Sequence, residues 1–468
     1  MSQSAIQDGG VSRLSIAALA GVSLPMAMLS LPLTVAVPEY FGNALGLDLA
    51  LVGVIFMAIR ILDIVIDPFL GLLMDGTTTR WGRFRPWLLA GMPLVVCATA
   101  ALFMPPADAG PLWLTGGLII AYVGWSIVSL AQLSLAAGLA SGYGARARVY
   151  AWLQACFFLG VCLVMLLPLL LGNAGNDAAT SLQSMGWLII ATVVVVAAIF
   201  WTLVPEVAVH RERTALGLRA YLRLVGRPAV LRLLLADIVL GLGYGIASAM
   251  LLFYFIAVKE LDRNVFGILL IAQMGTAMIS MPFTAHLAAR IGKHVMLAIT
   301  SVAMVVIAPS MMLVPKGEVP GAALVMAVWG ICYGAATFLP RSMMADASDE
   351  ARLETGVDRT GVLYALLISS WKLGGALSVG IGYLALDLIG YQAQRGTQNS
   401  AEALAAVERL FVGAPALLAL IGSLFVWRYP ITPARSAAIR QALGRNDAAA
   451  ALAPAPIISA SALPVSAS

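Results

Sequence analysis

Asp63 and Asp67 lie in the middle of a long apolar stretch, Leu49 to Met74, and Arg60 stands three residues before the first. A charge at the midplane of a bilayer costs roughly 2.5–3.5 kcal/mol on insertion scales, so three charges this close together need compensation. On a helix, positions four apart differ in direction by about 40° and positions three apart by about 60°. Arg60, Asp63 and Asp67 therefore share one face. Such a face can satisfy itself as a structural ion-pair network, or it can hold a cation that comes and goes. Lys372 sits near the middle of another apolar run, too deep to snorkel to an interface. It can serve the carboxylates as a fixed counter-ion or as one that moves between states.

The elements that must carry these charges are membrane helices. The chain has 468 residues, 61% hydrophobic and only 11% charged, and repeated apolar runs of about 20 residues mark transmembrane helices. Twelve spans are expected, at 14–37, 49–74, 86–104, 112–139, 149–171, 184–204, 230–257, 264–289, 295–314, 321–345, 360–389 and 410–427. The expected fold class is an all-α membrane protein with twelve transmembrane helices in a six-plus-six arrangement. Residues 1–204 would form the first bundle, 205–229 a polar linker loop and 230–428 the second bundle. The tail, 429–468, is expected to be disordered, since its Ala-, Pro- and Ser-rich end shows no periodicity. After the second span the chain reads R-W-G-R, Arg80 to Arg83; after the eighth it reads R-I-G-K, Arg290 to Lys293. These matched basic turns, each bent at a glycine, point to a weak internal repeat.

The formal charge of +5 is not a nucleic-acid signal, because its placement follows topology. Most of the 28 Lys and Arg fall in the termini, the even-numbered loops and the helix ends beside them. The clusters are Arg80, Arg83 and Arg85; Arg146 and Arg148; Arg211 to Arg227; and Arg435 to Arg445. The positive-inside rule then puts both termini in the cytoplasm of a bacterial inner membrane. The first apolar run is too long for the core of a signal peptide and continues through Pro25 and Pro32 to Glu39, so it reads as the first span. Cys97, Cys156, Cys162 and Cys332 fall in apolar spans without disulfide or metal spacing. His210, His286 and His294 build no constellation. With no nucleophile–base pair, metal cluster or nucleotide loop, neither an enzyme nor a cofactor is expected.

The strongest motif is RILDIVIDPFLGLLMDGTTTRWGRFRPW, Arg60 to Trp87. A second is MMADASDEARLETGVDRTGVLYALLISSWKLGGA, Met343 to Ala376. Together they resemble the glycoside–pentoside–hexuronide:cation symporter family of the major facilitator superfamily, which includes melibiose permease. The resemblance covers essentially the whole membrane domain. It implies that Asp63 and Asp67 ligate a coupling cation, with Lys372 near that site from the other bundle. It also implies that Ser126 on the fourth span assists the cation. Asp346, Asp349 and Arg359 would form a loop network sealing the cytoplasmic side. The fourth span departs from the family: Ser129-Leu130-Ala131-Gln132 lacks the usual carboxylate, proline and aromatic, and the first span carries no charge. The cation half of the site is therefore retained, while the usual sugar half is not.

The expected cavity residues are Trp125, Ser129, Gln132, Tyr150, Trp152 and Gln154, with packing or interfacial anchoring as the alternative for the aromatics. Ser134 adds a further hydroxyl. Asp75, Arg80 and Arg83 are expected to join Asp346, Asp349 and Arg359 in a cytoplasmic gate. Asp237 reads as a polar helix start and Asp387 as interfacial. The expected partners are a small solute, a coupling Na⁺ or H⁺ and the bilayer, with the chain acting as a monomer. Na⁺ fits carboxylate and hydroxyl oxygens; a proton needs one carboxylate whose surroundings favour its neutral form. Cation-coupled symport of a sugar or glycoside is the leading function. The alternatives are a lipid-like amphiphile on the same fold, or a non-transporting assembly or sensor protein.

Overall fold

A computed structural model describes residues 12–34, 36–139, 143–171, 178–204, 223–261, 263–390 and 399–452. The expected linker hinge (205–222 of it) and the last part of the tail (453–468) lie outside the described residues. The helices are α1 (Arg13–Gly21), α2 (Ser23–Thr34), α3 (Ala36–Glu39), α4 (Leu49–Gly76), α5 (Arg85–Phe103), α6 (Pro111–Leu139), α7 (Tyr143–Leu171) and α8 (Ala178–Leu203). Then follow α9 (Pro228–Phe253), α10 (Arg263–Ile291), α11 (Lys293–Ser310), α12 (Val319–Thr355), α13 (Thr360–Leu388), α14 (Ala401–Val426) and α15 (Pro433–Leu452). Among the described residues, eleven helical stretches are long and apolar enough to cross a membrane. The twelfth is α4, whose length of 28 residues suffices and whose four charges, Arg60, Asp63, Asp67 and Asp75, set it apart.

The first span is one run in sequence but is broken in space between α1 and α2. Pro25 falls in the first turn of α2, where its missing N–H interrupts the ladder from α1. A Pro within α4 has a different consequence. Pro68 cannot donate to the carbonyl of Ile64, and Ser369 Oγ of α13 approaches that oxygen at 3.4 Å. A neighbouring helix thus partly replaces the lost bond, directly beside Asp67.

Two bundles are built the same way. In the first, α2 packs on α7, and α6 on α4 and α5; in the second, α9 packs on α13 and α14, and α12 on α10 and α11. The bundles meet through α4 with α13 and through α7 with α10. The repeat is visible in local detail. Gly82 and Gly292, in the matched basic turns, have φ of 100° and 108°, a region open to glycine and strained for other residues. The first and seventh spans both end in π-turns, Tyr40–Ala44 and Tyr254–Val258.

Three boundaries differ from the sequence reading. The long helix α12 runs to Thr355, so Asp346 and Asp349 sit on a helical extension and not in a loop. The sixth span is helical from Ala178, ahead of the expected start at 184; 172–177 lie outside the described residues. The tail is helical over Pro433–Leu452, and its expected disorder is corrected for that stretch. Ala-rich sequence favours helix, while Ile439 and Leu443, one turn apart, are buried against the rest of the protein.

Candidate functional site

At the centre of the molecule, Lys372 Nζ of α13 stands 2.7 Å from Asp63 Oδ2 and 2.8 Å from Asp67 Oδ2 of α4. Ser126 of α6 closes the cluster. Its Oγ donates to Asp63 Oδ1 at 2.8 Å and accepts from Lys372 Nζ at 3.0 Å. Asp67 is fully buried, and neither of its oxygens has a hydrogen-bond partner of good geometry. The Lys372 contact to it is an ion pair lying off the hydrogen-bond direction. The ammonium group therefore sits between two carboxylates, in the space a coupling cation would need. Arg60 shares their helix face but makes no ion pair with them among the described residues; it is exposed and lines the cavity. Of the two readings of this face, pairing of Arg60 with the acids is not what the structure shows: the positive charge beside them is Lys372 from the other bundle.

This cluster borders a cavity of about 280 Å³ between the bundles. Trp125, Ser129, Gln132, Tyr150 and Gln154 line it, and so do Asp237, Arg341 and Trp371 from the second bundle. Trp152 does not: it is 54% exposed on the outer surface of α7. Tyr150 and Trp152 are two apart, so on a helix they point in widely different directions. Gln132 is already engaged by the first span, its Nε2 donating to Leu19 O at 2.8 Å and Ser23 Oγ at 2.9 Å. Only its carbonyl oxygen remains for a solute. Ser134 Oγ is buried with no partner and lies off the cavity. Asp237 is buried in the cavity wall and is not a polar helix start. The side chain of Asp387 lies outside the described residues.

The cavity ends at a floor where the hydroxyls of Tyr150 and Tyr364 meet across the bundles. Below it lies the face carrying the basic turns. There Arg83 pairs with Asp75 and with Asp358, the latter at 3.2 Å. Asp75 also accepts from the N–H groups of Gly361 at 2.8 Å and Val362 at 2.9 Å, which are free donors at the N-terminus of α13. The second lock is the counterpart of the first. Arg146 Nη1 reaches Asp346 at 3.1 Å and Asp349 at 2.8 Å, and Lys293 also pairs with Asp346. Tyr143 Oη accepts from the Lys293 N–H at 2.7 Å, linking α7 to α11. The tail helix joins in, with Ser436 Oγ 3.2 Å from Asp346 Oδ1. Nearby on this helix, burial and then the Arg146 charge pull the Arg440 guanidinium below its ordinary range.

Residues 19–433 match the family described as MFS/sugar transport protein. The chain belongs to that family. Within it, the chain is a glycoside–pentoside–hexuronide:cation symporter-type transporter, not an enzyme. The glucuronide carrier protein homolog of Escherichia coli K12 is 25% identical over 407 residues, 84% of this chain and 87% of that protein. The isoprimeverose transporter of Lactiplantibacillus pentosus is 25% identical over 436 residues, 88% of each chain. Among solved structures, the Escherichia coli fucose:proton symporter superposes with a TM-score of 0.67 at 16% identity, covering 90% of this chain and 99% of that one. A bacterial homologue of the iron transporter ferroportin, in an outward-facing state, gives 0.65 at 14% identity, with 89% and 99% covered. At such identities the structural likeness speaks for the fold alone.

In this family member, two expected gate residues stand apart from the locks. Arg80 is exposed and packs its guanidinium on Trp81, with no carboxylate among the described residues. Arg359 makes no ion pair with Asp346 or Asp349; Arg146 takes that place. The reason is the helical extension of α12, which turns both acids toward α7. Asp358 and Arg341 were not singled out from sequence, and Lys293, Arg146 and Asp237 were noted there without a role in the gate or the cavity. Lys293 had a signal, since it occupies the position of Arg83 in the repeat. Arg341 had one too, as a charge within an apolar run.

Proposed function

We propose that this protein is a cation-coupled symporter of a sugar or glycoside, working as a monomer. The observation that carries the reading is Lys372 held between Asp63 and Asp67 beside the cavity. Two carboxylates and the Ser126 hydroxyl are hard oxygen donors suited to Na⁺, and either carboxylate could take a proton instead. On arrival the cation replaces the ammonium group, which is then free to turn toward the cavity. The solute binds between the bundles, and rocking of one bundle against the other gives alternating access.

The basic face is the cytoplasmic one on this reading, with both termini there, in keeping with the positive-inside rule. Cross-bundle ion pairs close that face, and the cavity reaches the opposite one past Thr34 and Arg60. The conformation is then outward-open, and 205–222 serve as the tether between bundles. Five charged side chains set among the apolar ones of the cavity wall, Arg60, Asp63, Asp237, Arg341 and Lys372, favour a hydroxylated solute over a lipid-like amphiphile. The test is uptake of a glycoside panel by proteoliposomes under an imposed Na⁺ gradient or pH gradient. Uphill accumulation under one gradient, lost in Asp63→Asn and Asp67→Asn, is expected. Equal, gradient-independent uptake by all three proteins would overturn the reading.

A further inference from the structure

Asp237 on α9 and Arg341 on α12 face the cavity from the second bundle, just above the tyrosine floor. Neither belongs to the cation cluster or to the locks of the basic face. Asp237 is 4% exposed, and its Oδ2 has no hydrogen-bond partner among the described residues. The helices packed on α9 are α13, α14 and, less extensively, α12. Lys372 of α13 is committed to Asp63 and Asp67, and Tyr364 to the floor. Glu402, Glu408 and Arg409 of α14 lie toward its start, at the end away from the basic face. Tyr333 of α12 packs on Tyr244 of α9, and Arg232 of α9 itself turns to the carbonyl of Arg428. Arg341 is therefore the charge that acts on Asp237, yet the two make no ion pair among the described residues. An ionised carboxylate buried without a partner is far costlier than its neutral form. If ionised, Asp237 would gain most by contact with the guanidinium. With a proton on it, that pull is gone. The separation of the two groups is what a protonated Asp237 requires, and the cavity beside it gives the proton a way in.

We propose that Asp237 is a second coupling-ion site, separate from the Asp63–Asp67 cluster and specific for a proton, and that Arg341 is the group that releases it. A metal cation needs several oxygen ligands. Asp237 offers one carboxyl with a guanidinium nearby, a setting that repels Na⁺ and leaves the proton as ligand. The route of release lies in the floor. Tyr364 Oη donates to the Arg341 carbonyl at 2.9 Å and meets Tyr150 of the other bundle. When the bundles part there, the contact beside Arg341 breaks and water reaches Asp237 from the basic face. The O–H bond of Asp237 then breaks, the proton passes to water, and the electron pair stays on the carboxylate. The guanidinium, charged throughout, closes on that carboxylate in two parallel bonds. Each solute thus crosses with two positive charges, one from the midplane cluster and one from Asp237. The first of these rests on the symport reading above.

The test is the ratio of charge to solute, read from the reversal potential of the full chain in proteoliposomes. The probe is the neutral methyl glycoside that wild type takes up best, so that every charge moved belongs to a coupling ion. Wild type should give two charges per solute. Asp237→Asn should halve that ratio and keep the dependence on the cation of the midplane cluster. Asp237→Glu retains the carboxyl and should retain both charges, which separates loss of the site from misfolding. Infrared spectroscopy reads the proton directly. The carbonyl band of a buried protonated carboxyl should persist when Asp63→Asn and Asp67→Asn are combined, and vanish in Asp237→Asn. Arg341→Gln should keep the band and lose net uphill transport, while exchange of solute at equal concentrations continues. A wild-type ratio of one, or a band indifferent to Asp237→Asn, would overturn this inference and leave symport standing. Uptake indifferent to every cation gradient would overturn both.

Discussion

The midplane cluster and the locks of the basic face use the same chemistry, buried carboxylates facing buried cations, but differ in how fully the acids are bonded. At the basic face, Asp75 accepts from Arg83 and two backbone N–H groups. Asp346 accepts from Arg146, Lys293 and Ser436. At the midplane, one lysine is shared between two acids, and Asp67 has no hydrogen bond of good geometry. A saturated carboxylate has nothing to gain from a new partner. An unsaturated one beside a cavity does. Bond saturation therefore separates groups that hold a conformation from groups that exchange ligands, where burial alone would not.

The largest effect should come from emptying the exchange site. Asp67→Asn takes one of two charged oxygen ligands from the bound cation, and removing one partner of a buried charge costs about 3–5 kcal/mol. At about 1.4 kcal/mol per tenfold, cation affinity should fall by a hundredfold or more. Uphill solute accumulation should then collapse to simple equilibration while the protein stays inserted. Lys372→Ala should act differently. It frees the acids for the cation and should change cation dependence more than expression. An accumulation ratio equal to wild type in Asp67→Asn would break the comparison at its base.

The locks should respond in conformation and stability more than in coupling. Asp346→Asn leaves Arg146 and Lys293 buried without their shared carboxylate, again about 3–5 kcal/mol by the same rule. Thermal unfolding should fall by several degrees, and cysteines placed at the basic face should label faster. A finer probe is Gly361→Ala, because a Cβ there would lie 2.5 Å from Asp75 Oδ1 and 2.9 Å from Gly71 O. The added methyl crowds the Asp75 carboxylate and forces α4 and α13 apart at the lock without removing any charge. Faster labelling with cation binding intact is expected; unchanged labelling would mean that the contact does not hold the face closed.

Much of this was legible in the chain because membrane insertion makes charges conspicuous. Twelve apolar runs and the pair Asp63 and Asp67 follow from hydropathy and helical spacing, and the repeat follows from two basic turns that place Gly82 and Gly292 in the same strained region. What was not legible depends on which helix a side chain meets. Arg146 and Arg359 are both arginines at basic helix ends, and only the extension of α12 to Thr355 decides that the former reaches Asp349. Asp237 sits near a helix start in sequence, and only the packing of α12 beside α9 makes it part of a cavity wall. The helical tail was hidden because an Ala-rich segment reads alike as disorder or as a helix awaiting a surface.

The smallest effects should come from residues whose type suggested a role that their position denies. Trp152 lies on the outer surface, and Arg359 pairs with neither acid of the lock. Substitutions away from core, caps and networks usually change stability by no more than about 0.5 kcal/mol, so Trp152→Leu and Arg359→Gln should each leave uptake within about twofold of wild type. Their partners in the comparison are Trp125→Leu, which alters the cavity wall beside Ser126, and Arg146→Gln, which removes the link between α7 and α12. Within each pair the residue type is the same and only its surroundings differ. Solute affinity should separate the two tryptophans, and labelling at the basic face should separate the two arginines. If Arg359→Gln opened that face as much as Arg146→Gln, the bond-saturation rule would fail where it is most exposed, since an arginine without an ion pair would be holding the lock.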